Sequence, residues 1–140
     1  MLSSASQWFM NIQEALRRSD QGADLQAFAE ELEAIGVTHC HTYLGDGSTC
    51  YYGPSFFRIE GPAVWSWTTV AHPASAERLY RALSTFLDGR MDRNTFLHEA
   101  AGAGVEVLTF NVTNRTLTFL DKEGSVLAVE PIVPFPARSN

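Results

Sequence analysis

The chain has 140 residues, a formal net charge of −6, and 45% hydrophobic and 19% charged residues. This composition is typical of one globular domain and excludes an intrinsically disordered chain, because enough apolar residues are present to form a core. The acidic balance, with no cluster of basic residues beyond Arg17 and Arg18, argues against nucleic acid as a partner.

No stretch of the sequence resembles a membrane span or a secretory signal. The apolar runs are shorter than the roughly 18 residues that a spanning helix needs, and polar positions interrupt the apolar pattern of the first twenty residues. We therefore predict a cytoplasmic protein without a membrane partner. Its two cysteines, Cys40 and Cys50, lack the spacing of a zinc or redox motif, so no cofactor is predicted.

The first two predicted elements are helices. One covers residues 7–18, with Ser4 and Gln7 spaced as a capping box. The next begins after Asp24 as N-cap and ends at Gly36. Apolar residues recur at helical spacing in both, at Trp8, Phe9, Ile12 and Leu16 in the first and Leu25, Phe28, Leu32 and Ile35 in the second. Both helices are expected to pack by these faces.

Strand signals follow the second helix. Residues 37–44 and 48–52 flank an Asp46-Gly47 pair and predict a hairpin with a type I′ turn. The segment 55–60 predicts a third strand. The β-branched and aromatic residues of segment 64–70 predict one more strand in the bridge between the two halves.

The second half of the chain has the same order of elements. A helix over residues 76–87 is preceded by Ser75 as N-cap and ended by Gly89. Another helix begins at Asp92 and closes at Gly104. The strands predicted after it cover residues 105–112, 115–120 and 125–130.

The two halves also share residues. Residues 24–37 return 68 positions later as residues 92–105, and segment 55–60 matches segment 125–130 at a displacement of 70. The identical pairs in the first match are Asp24/Asp92, Phe28/Phe96, Glu31/Glu99, Gly36/Gly104 and Val37/Val105. About one identity is expected by chance in such a window, so the sequence indicates an internal duplication.

The duplication predicts the architecture. Two helix-helix-strand-strand-strand units give an α+β fold, in which helices cover one side of a largely antiparallel sheet. A unit of roughly 60 residues buries too little surface to be stable alone, so we predict a single domain over residues 1–140. The repeats cover approximately residues 4–61 and 75–131, and residues 62–74 join them. Residues 134–140 are expected to form a disordered tail.

Strand alternation assigns two faces to the first hairpin. In the second hairpin the apolar side consists of Leu108, Phe110, Val112, Leu117 and Phe119. The repeat transfers this core side to Cys40, Thr42, Leu44, Thr49 and Tyr51. The opposite face then holds His39, His41, Tyr43, Cys50 and Tyr52. Because Cys40 and Cys50 lie on different faces, we expect no disulfide between them.

The non-core face of the first hairpin holds the candidate binding residues. Aromatic rings with polar tips suit a small ligand, and they predict a cleft lined by His39, His41, Tyr43 and Tyr52 and extended by Trp65 and Trp67. The alternative for the two tryptophans is a place in the core between the repeats. A metal site would use His39, His41 and Cys50, but no fourth ligand is evident, so a half-exposed sheet face is favoured.

No catalytic constellation is evident in the sequence. The repeated carboxylates Glu31/Glu99 and Glu60/Glu130 lie mid-helix or at strand ends, where duplication explains their recurrence. Neither a Gly-x-Ser-x-Gly elbow nor a Gly-rich phosphate loop is present. The sequence leaves enzymatic activity open and favours its absence.

Several short segments resemble a known family. They are Ile35-Gly36-Val37, Asp46-Gly47-Ser48-Thr49, Tyr51-Tyr52-Gly53, residues 86–96, Ala103-Gly104-Val105, residues 120–124 and Glu130-Pro131-Ile132. Over approximately residues 23–133 the chain resembles the YbcV-like family of short bacterial and prophage proteins, a domain family of unknown function sometimes labelled phage envelope protein. Family members often have a Cys after the Phe of the last helix and a Trp in the next strand, where this chain has Leu97 and Leu108. The resemblance implies no established activity.

Two functions are compatible with these observations. The first is a non-enzymatic binding or accessory protein that acts through a protein partner, and the lack of a catalytic constellation favours it. The alternative is a small-molecule effector-binding domain with its ligand in the cleft between the repeats. A deep pocket containing Tyr43, Tyr52 and Trp65 would favour the alternative, and a flat apolar patch would favour the first. A homodimer is compatible with both, because a second copy could cover an open sheet edge.

Overall fold

The computed structural model describes residues 4–18 and 25–132, with the side chains of residues 7–17 and 25–132. In chain order its elements are α1 (Ser4–Arg18), α2 (Leu25–Ile35), β1 (His39–Tyr43), β2 (Ser48–Tyr52), β3 (Arg58–Glu60), α3 (Ala76–Leu87), α4 (Arg93–Gly102), β4 (Val107–Asn111), β5 (Thr116–Leu120) and β6 (Val126–Pro131). The predicted helix-helix-strand-strand-strand unit is therefore present twice. The predicted cap Asp24 and the predicted tail over residues 134–140 lie outside the described residues.

The helices of the second half begin at the predicted N-caps. Ser75 Oγ accepts a hydrogen bond from Arg78 N at 3.2 Å, and Asp92 Oδ1 accepts one from Thr95 N at 2.8 Å. These bonds satisfy backbone donors that the first helical turn leaves without a partner. In the first half, α1 begins at Ser4, three residues before the predicted start. The side chain of Ser4, predicted to cap this helix, lies outside the described residues.

All six strands form one antiparallel sheet in the order β3-β2-β1-β4-β5-β6. The predicted α+β fold is confirmed, and the pairing of β1 with β4 joins both repeats in a single sheet. In that pairing His41 lies opposite Thr109, its counterpart 68 positions later. When a residue of an antiparallel strand pair lies opposite its own repeat counterpart, a local twofold axis passes between the two residues. The pseudo-twofold axis of the duplication therefore passes between these two residues.

The turn of the first hairpin differs from the predicted type I′ turn. The strands pair as far as Tyr43 and Ser48, so residues 44–47 form the connection. Within it only Gly47 has a positive φ, at 76°, whereas a type I′ turn needs a positive φ at both central residues. Asp46 Oδ1 instead accepts bonds from N and Oγ of Ser48, at 3.0 and 2.7 Å. This side chain stabilises the longer turn.

Residues 64–70 do not form the predicted bridge strand. Val64 N and Trp65 N both donate to Asp46 O, at 2.8 and 3.1 Å, and Thr68 N donates to Gly45 O at 2.6 Å. The bridge thus crosses the end of the first hairpin, where its backbone bonds go to a turn and not to a neighbouring strand. Its aromatic residues suit this position, because the glycines of the turn leave room for indole rings.

The core lies between the helices and one face of the sheet. Phe110 and Phe119 of the second hairpin contact Phe28 of α2 and Phe96 of α4, with ring centroids 5.9 and 6.0 Å apart. In the first hairpin, the residues buried on the predicted core side include Cys40, Leu44 and Tyr51. The predicted faces and the placement of helices on one side are therefore confirmed. Of the helices in the described residues, none has both the length and the apolar character to cross a membrane.

Candidate functional site

Three of the predicted site residues, His39, His41 and Tyr52, form a cluster of rings on the helix-free face of the sheet. The ring of His39 stacks on Tyr52, with centroids 4.6 Å apart and planes 2° apart. His41 meets both rings edge-on, 5.5 Å from His39 and 5.4 Å from Tyr52. Thr38 Oγ1 lies 3.0 Å from His39 Nδ1, and Thr109 Oγ1 lies 2.9 Å from His41 Nδ1. We name His39, His41 and Tyr52 the ring cluster.

Two side chains of the ring cluster are uncharged at neutral pH. Burial, followed by the nearby charge of His39, lowers the pKa of His41. Hydrogen bonding to the Cys50 side chain raises the pKa of Tyr52. The guanidinium carbon of Arg58 lies 6.0 Å from the Tyr52 ring centroid. The ring cluster therefore presents flat aromatic surfaces and hydrogen-bonding edges beside one cation.

The other predicted site residues lie apart from the ring cluster. Tyr43 is exposed at the end of β1. Trp65 lies on the helix side of the sheet, where its ring centroid is 4.2 Å from that of His98. Trp67 is 76% exposed and lies against Gly45 in the hairpin turn. The structure therefore does not place all six residues around one cleft, because the bridge is not a strand and carries its tryptophans past the turn.

The metal alternative is not supported by the geometry. Within residues 4–18 and 25–132, no three His, Cys, Asp or Glu side chains are placed to hold one metal ion. Cys50 is buried between strands, and it shares its face with His39 and His41 without completing a ligand set. Cys40 lies on the other face, and both cysteines are free thiols, as predicted.

A cavity of about 520 Å³ lies between the helices and the central strands. The residues of its floor include Cys40, Thr42, Thr49, Tyr51, Leu108 and Phe110. Above them lie Phe28, Phe86 and Phe96 from three helices, and Trp65 of the bridge forms part of the wall. This volume falls in the range of roughly 300 to 1,000 Å³ that is typical of small-molecule sites.

The two repeats differ in side-chain size at three equivalent positions of the cavity floor. Cys40, Thr42 and Thr49 correspond to Leu108, Phe110 and Leu117, each 68 positions later. The second repeat fills its part of the floor with large apolar side chains, and the first repeat has small ones. Thr42 Oγ1 and Thr49 Oγ1 are hydrogen-bonded at 2.8 Å, which gives each hydroxyl a partner in mainly apolar surroundings.

Two groups of the floor resist ionisation. Burial, with a smaller contribution from Cys50, raises the pKa of Cys40 to about 12. Burial also raises the pKa of Tyr51, and the positive charge of Arg93 opposes that shift. Both groups are neutral at pH 7, so Cys40 is present as a thiol and not as a nucleophilic thiolate.

The charged residues of the described lining are Arg17 and Arg93, and the described lining contains no Asp or Glu. Arg93 begins α4, and its Nη2 donates to Leu16 O at 3.3 Å. Arg17 forms an ion pair with Glu14. We name this part of the cavity, where the end of α1 meets the start of α4, the arginine side.

Trp65 adds a polar group to the cavity wall. Its indole Nε1 is buried and has no hydrogen-bond acceptor among the described residues. A buried indole N–H usually has a partner, because leaving the donor unsatisfied costs free energy. An acceptor supplied by a bound molecule would therefore be favourable at this wall.

Sequence reasoning assigns Cys40, Thr42, Thr49 and Tyr51 to the core side, which is correct, but it does not predict the cavity. The sequence feature that could have predicted the cavity is the difference in side-chain size between equivalent residues of the two repeats. Small polar residues at positions where the other repeat has Leu or Phe indicate space beneath the helices. Arg93 gives no comparable signal, because its position at the cavity depends on a contact with Leu16, 77 residues earlier in the chain.

The profile of one protein family matches residues 13–131, a range that includes the ring cluster and the cavity floor. The family is described as protein of unknown function (DUF1398). No curated protein matches the chain. Because the match covers most of the 140 residues, the chain belongs to this DUF1398 family.

Proposed function

We propose that the protein is a small-molecule-binding module whose ligand occupies the cavity between the helices and the central strands. The cavity itself carries the proposal, because about 520 Å³ of space has a mainly apolar and aromatic lining with a few polar groups. A filled core would be more stable, since side chains around empty space lose packing contacts. An occupant accounts for the retention of this space.

The chemistry of the lining supports binding and not catalysis. The described lining residues include no His, Asp or Glu that could act as a general base. The Cys40 thiol is protonated at neutral pH because its pKa is about 12. Hydroxyl groups of Thr42, Thr49 and Tyr51 are positioned to orient a ligand within the apolar space.

Exchanging floor residues between the repeats tests this proposal. The double substitution Thr42→Phe/Thr49→Leu gives the first repeat the side chains of the second and fills the cavity. We expect the wild type to bind the neutral apolar dye N-phenyl-1-naphthylamine, measured by its fluorescence increase. The filled variant should lose about tenfold or more in affinity, because its side chains occupy the dye's volume.

The matched control exchanges residues on the same two strands but on the opposite face. His41→Thr/Tyr52→Leu replaces part of the ring cluster with its second-repeat counterparts and leaves the cavity lining intact. Loss of dye binding in the filled variant, with retention in this control, supports the cavity. Loss in the control alone would assign the ligand to the ring cluster. Absence of dye binding by the folded wild type would contradict the proposal.

The helix-free face of the sheet favours a second proposal, in which the protein acts through a protein partner. Outward-facing residues of β1, β2, β4, β5 and β6 include no Asp, Glu, Lys or Arg. The charges of this face are Arg58 and Glu60 of β3, paired at 2.7 Å. Depletion of charged residues is typical of the centre of protein interfaces.

A charge placed on this face tests the second proposal. Thr118→Lys, in the middle of β5, should abolish both self-association measured by sedimentation and capture of a partner by the immobilised protein. Dye binding in the cavity should remain. Association that survives the substitution would contradict a role for this face.

We further propose a cytoplasmic setting and a bacterial or prophage origin close to the YbcV-like family. The short segments that resemble that family support the origin, and the free thiols of Cys40 and Cys50 suit a reducing compartment. Fractionation of cells that express the tagged full chain would test the compartment, and recovery in the membrane fraction would contradict it.

A further inference from the structure

We propose that residues 62–69 of the bridge form a flap over the cavity, and that this flap opens to admit the ligand by lifting Trp65 and Trp67 from the turn of the first hairpin. The inference rests on the proposed small-molecule function and adds the entry route and its gating residues. It depends on where the mouth of the cavity lies, on how the bridge is anchored, and on the contacts of the two tryptophans.

The bridge forms one side of the cavity mouth. Lining residues that are also exposed mark this mouth, because a ligand enters where the lining meets solvent. In the described lining these residues come from α1, α4 and the bridge, and they include Gln13, Asn94, Pro62 and Val64. A ligand that enters here passes between the bridge and the two helices.

The flap lies between two anchors. Before it, Gly61 N donates a hydrogen bond to Thr49 O of β2 at 2.7 Å. After it, Ala71 N donates to Ala101 O of α4 at 2.9 Å. Most residues of the flap between these points are exposed. A largely exposed segment with fixed ends can move as a unit while the sheet and the helices stay in place.

Few backbone bonds hold the flap closed. Val64 N and Trp65 N share one acceptor, Asp46 O, at 2.8 and 3.1 Å. Thr68 N donates to Gly45 O at 2.6 Å. Both acceptors belong to the turn of the first hairpin, so the flap is attached at that turn and not along the helices. Opening breaks these three bonds and leaves the two anchors intact.

The closed position leaves one donor of Trp65 without a partner. Within residues 4–18 and 25–132, its Nε1 is the one buried side-chain nitrogen or oxygen atom that has no hydrogen-bond partner. Water would accept a hydrogen bond from this donor once the ring leaves the cavity wall. The closed flap therefore lacks a hydrogen bond that the open flap can make, and this difference favours opening.

Two glycines of the turn form the seats of the indole rings. A Cβ atom at Gly45 would lie 2.5 Å from Cη2 of Trp67, and one at Gly47 would lie 2.8 Å from Cη2 of Trp65. Both rings thus lie directly on the backbone of the turn. Trp65 also contacts His98 of α4, with ring centroids 4.2 Å apart. The Trp65 ring therefore joins the hairpin turn to α4 while the flap is closed.

The rates of dye binding test the flap. Gly45→Ala places a methyl group where the Trp67 ring lies, and Gly45 has no positive φ that would strain an alanine. The substitution weakens the closed flap with and without ligand and leaves the cavity floor unchanged. By stopped-flow fluorescence of N-phenyl-1-naphthylamine, the association and dissociation rate constants should both rise about fivefold or more, with an affinity within about twofold of the wild type.

A pair of aromatic deletions supplies the control. Trp67→Ala removes the ring that lies on Gly45, so both rate constants should rise as in Gly45→Ala. Tyr80→Ala removes an exposed ring of α3 that does not line the cavity, so it should keep the wild-type rates. Faster dissociation without faster association in Trp67→Ala would overturn its gating role, because it would indicate a contact with the bound dye.

Amide hydrogen exchange in the wild type tests the flap without any substitution. The bonded amides of Val64, Trp65 and Thr68 should have protection factors about tenfold or more below those of Gly61 and Ala71, because only the flap amides open while the anchors hold. Equal protection at the flap and at its anchors would overturn the flap.

The outcomes separate this inference from the proposed function. Wild-type rates of dye binding in both Gly45→Ala and Trp67→Ala would overturn the flap, while dye binding itself still supports the cavity as a site. Failure of the folded wild type to bind the dye would overturn the proposed function itself.

Discussion

The two repeats differ in the size of three side chains on the core side of the sheet, which are Cys40, Thr42 and Thr49 in the first repeat. Their counterparts in the second repeat are Leu or Phe, and the backbone pairing of the two hairpins is otherwise equivalent. Side chains beside an unfilled apolar space lose both packing contacts and hydrophobic burial. The first repeat therefore keeps its small residues at a cost in stability, which ligand binding to the folded state would offset.

Reciprocal substitutions at one pair of counterparts should change stability in opposite directions. Thr42→Phe should raise the free energy of unfolding by about 1 kcal/mol, because it fills existing space. Phe110→Thr should lower it by about 3 kcal/mol, because it enlarges the cavity beside Phe28. Urea unfolding of both variants measures the two changes. A loss of stability in Thr42→Phe as large as that in Phe110→Thr would show that the space is too small for a ring.

Stability should fall as the pH is lowered from 7 to 5.5, in part because of His41. Burial and the neighbouring His39 lower its pKa in the folded state from the ordinary value of 6.5. The unfolded chain therefore takes up a proton that folded His41 resists, so stability is full above about pH 6.5 and is lost as the pH falls through the lowered pKa. His41→Asn should reduce the fall in urea midpoint between the two pH values.

The control for this pH effect is His72→Asn, at an exposed position of the bridge. It should keep the wild-type dependence, because His72 lies outside the ring cluster. The pH-dependent interaction belongs to the cluster, where His39, Tyr52 and the cross-strand residue Cys50 are ionisable groups beside His41. An unchanged fall in His41→Asn would assign the dependence to another group.

Among the elements, α3 begins at a local sequence signal. Its N-cap Ser75 accepts the bond from Arg78 N at 3.2 Å. Ser75→Ala should lower the free energy of unfolding by about 1 kcal/mol, since it removes this bond from the first turn. Ser84→Ala, on an exposed position of the same helix, should cost nothing, because alanine has the higher helix propensity. Equal effects in thermal or urea unfolding would contradict a capping role.

The elements that the sequence predicts correctly are those with local signals. Ser75 and Asp92 mark helix starts by bonds within one turn, and alternation across the sheet assigns the hairpin faces. The bridge strand is predicted wrongly because the aromatic residues of segment 64–70 fit a strand by propensity, while their backbone partners lie in the turn at Gly45 and Asp46. The cavity and Arg93 depend on contacts between distant elements, which no local pattern contains.

At the scale of the whole molecule, the two repeats share their stabilising contacts. β1 pairs with β4 along its whole length, and Phe28 of the first repeat lies on Phe110 of the second. Arg115, in the turn of the second hairpin, forms an ion pair with Glu33 of α2 at 2.9 Å. Separation of the repeats would expose the edges of two strands and open the core of each.

Neither half should therefore fold alone. We expect fragments 1–74 and 75–140 to show no cooperative thermal transition by circular dichroism, whereas the full chain should unfold in one transition. Mixing the fragments should restore part of the transition, because β1 and β4 can pair across chains. A cooperative transition in either isolated fragment would contradict the single-domain prediction for residues 1–140.

The twofold axis between His41 and Thr109 also bears on how this molecule could diverge from its ancestor. In a symmetric pair of identical chains, a residue on the axis always meets its own copy, so the two partners there are chemically the same. Fusion of the two copies into one chain removes that constraint. An imidazole now meets a hydroxyl across the axis, at 2.9 Å. In the same way, the first repeat has Cys40, Thr42 and Thr49 on the cavity floor where the second has Leu or Phe, a difference that two identical subunits cannot have.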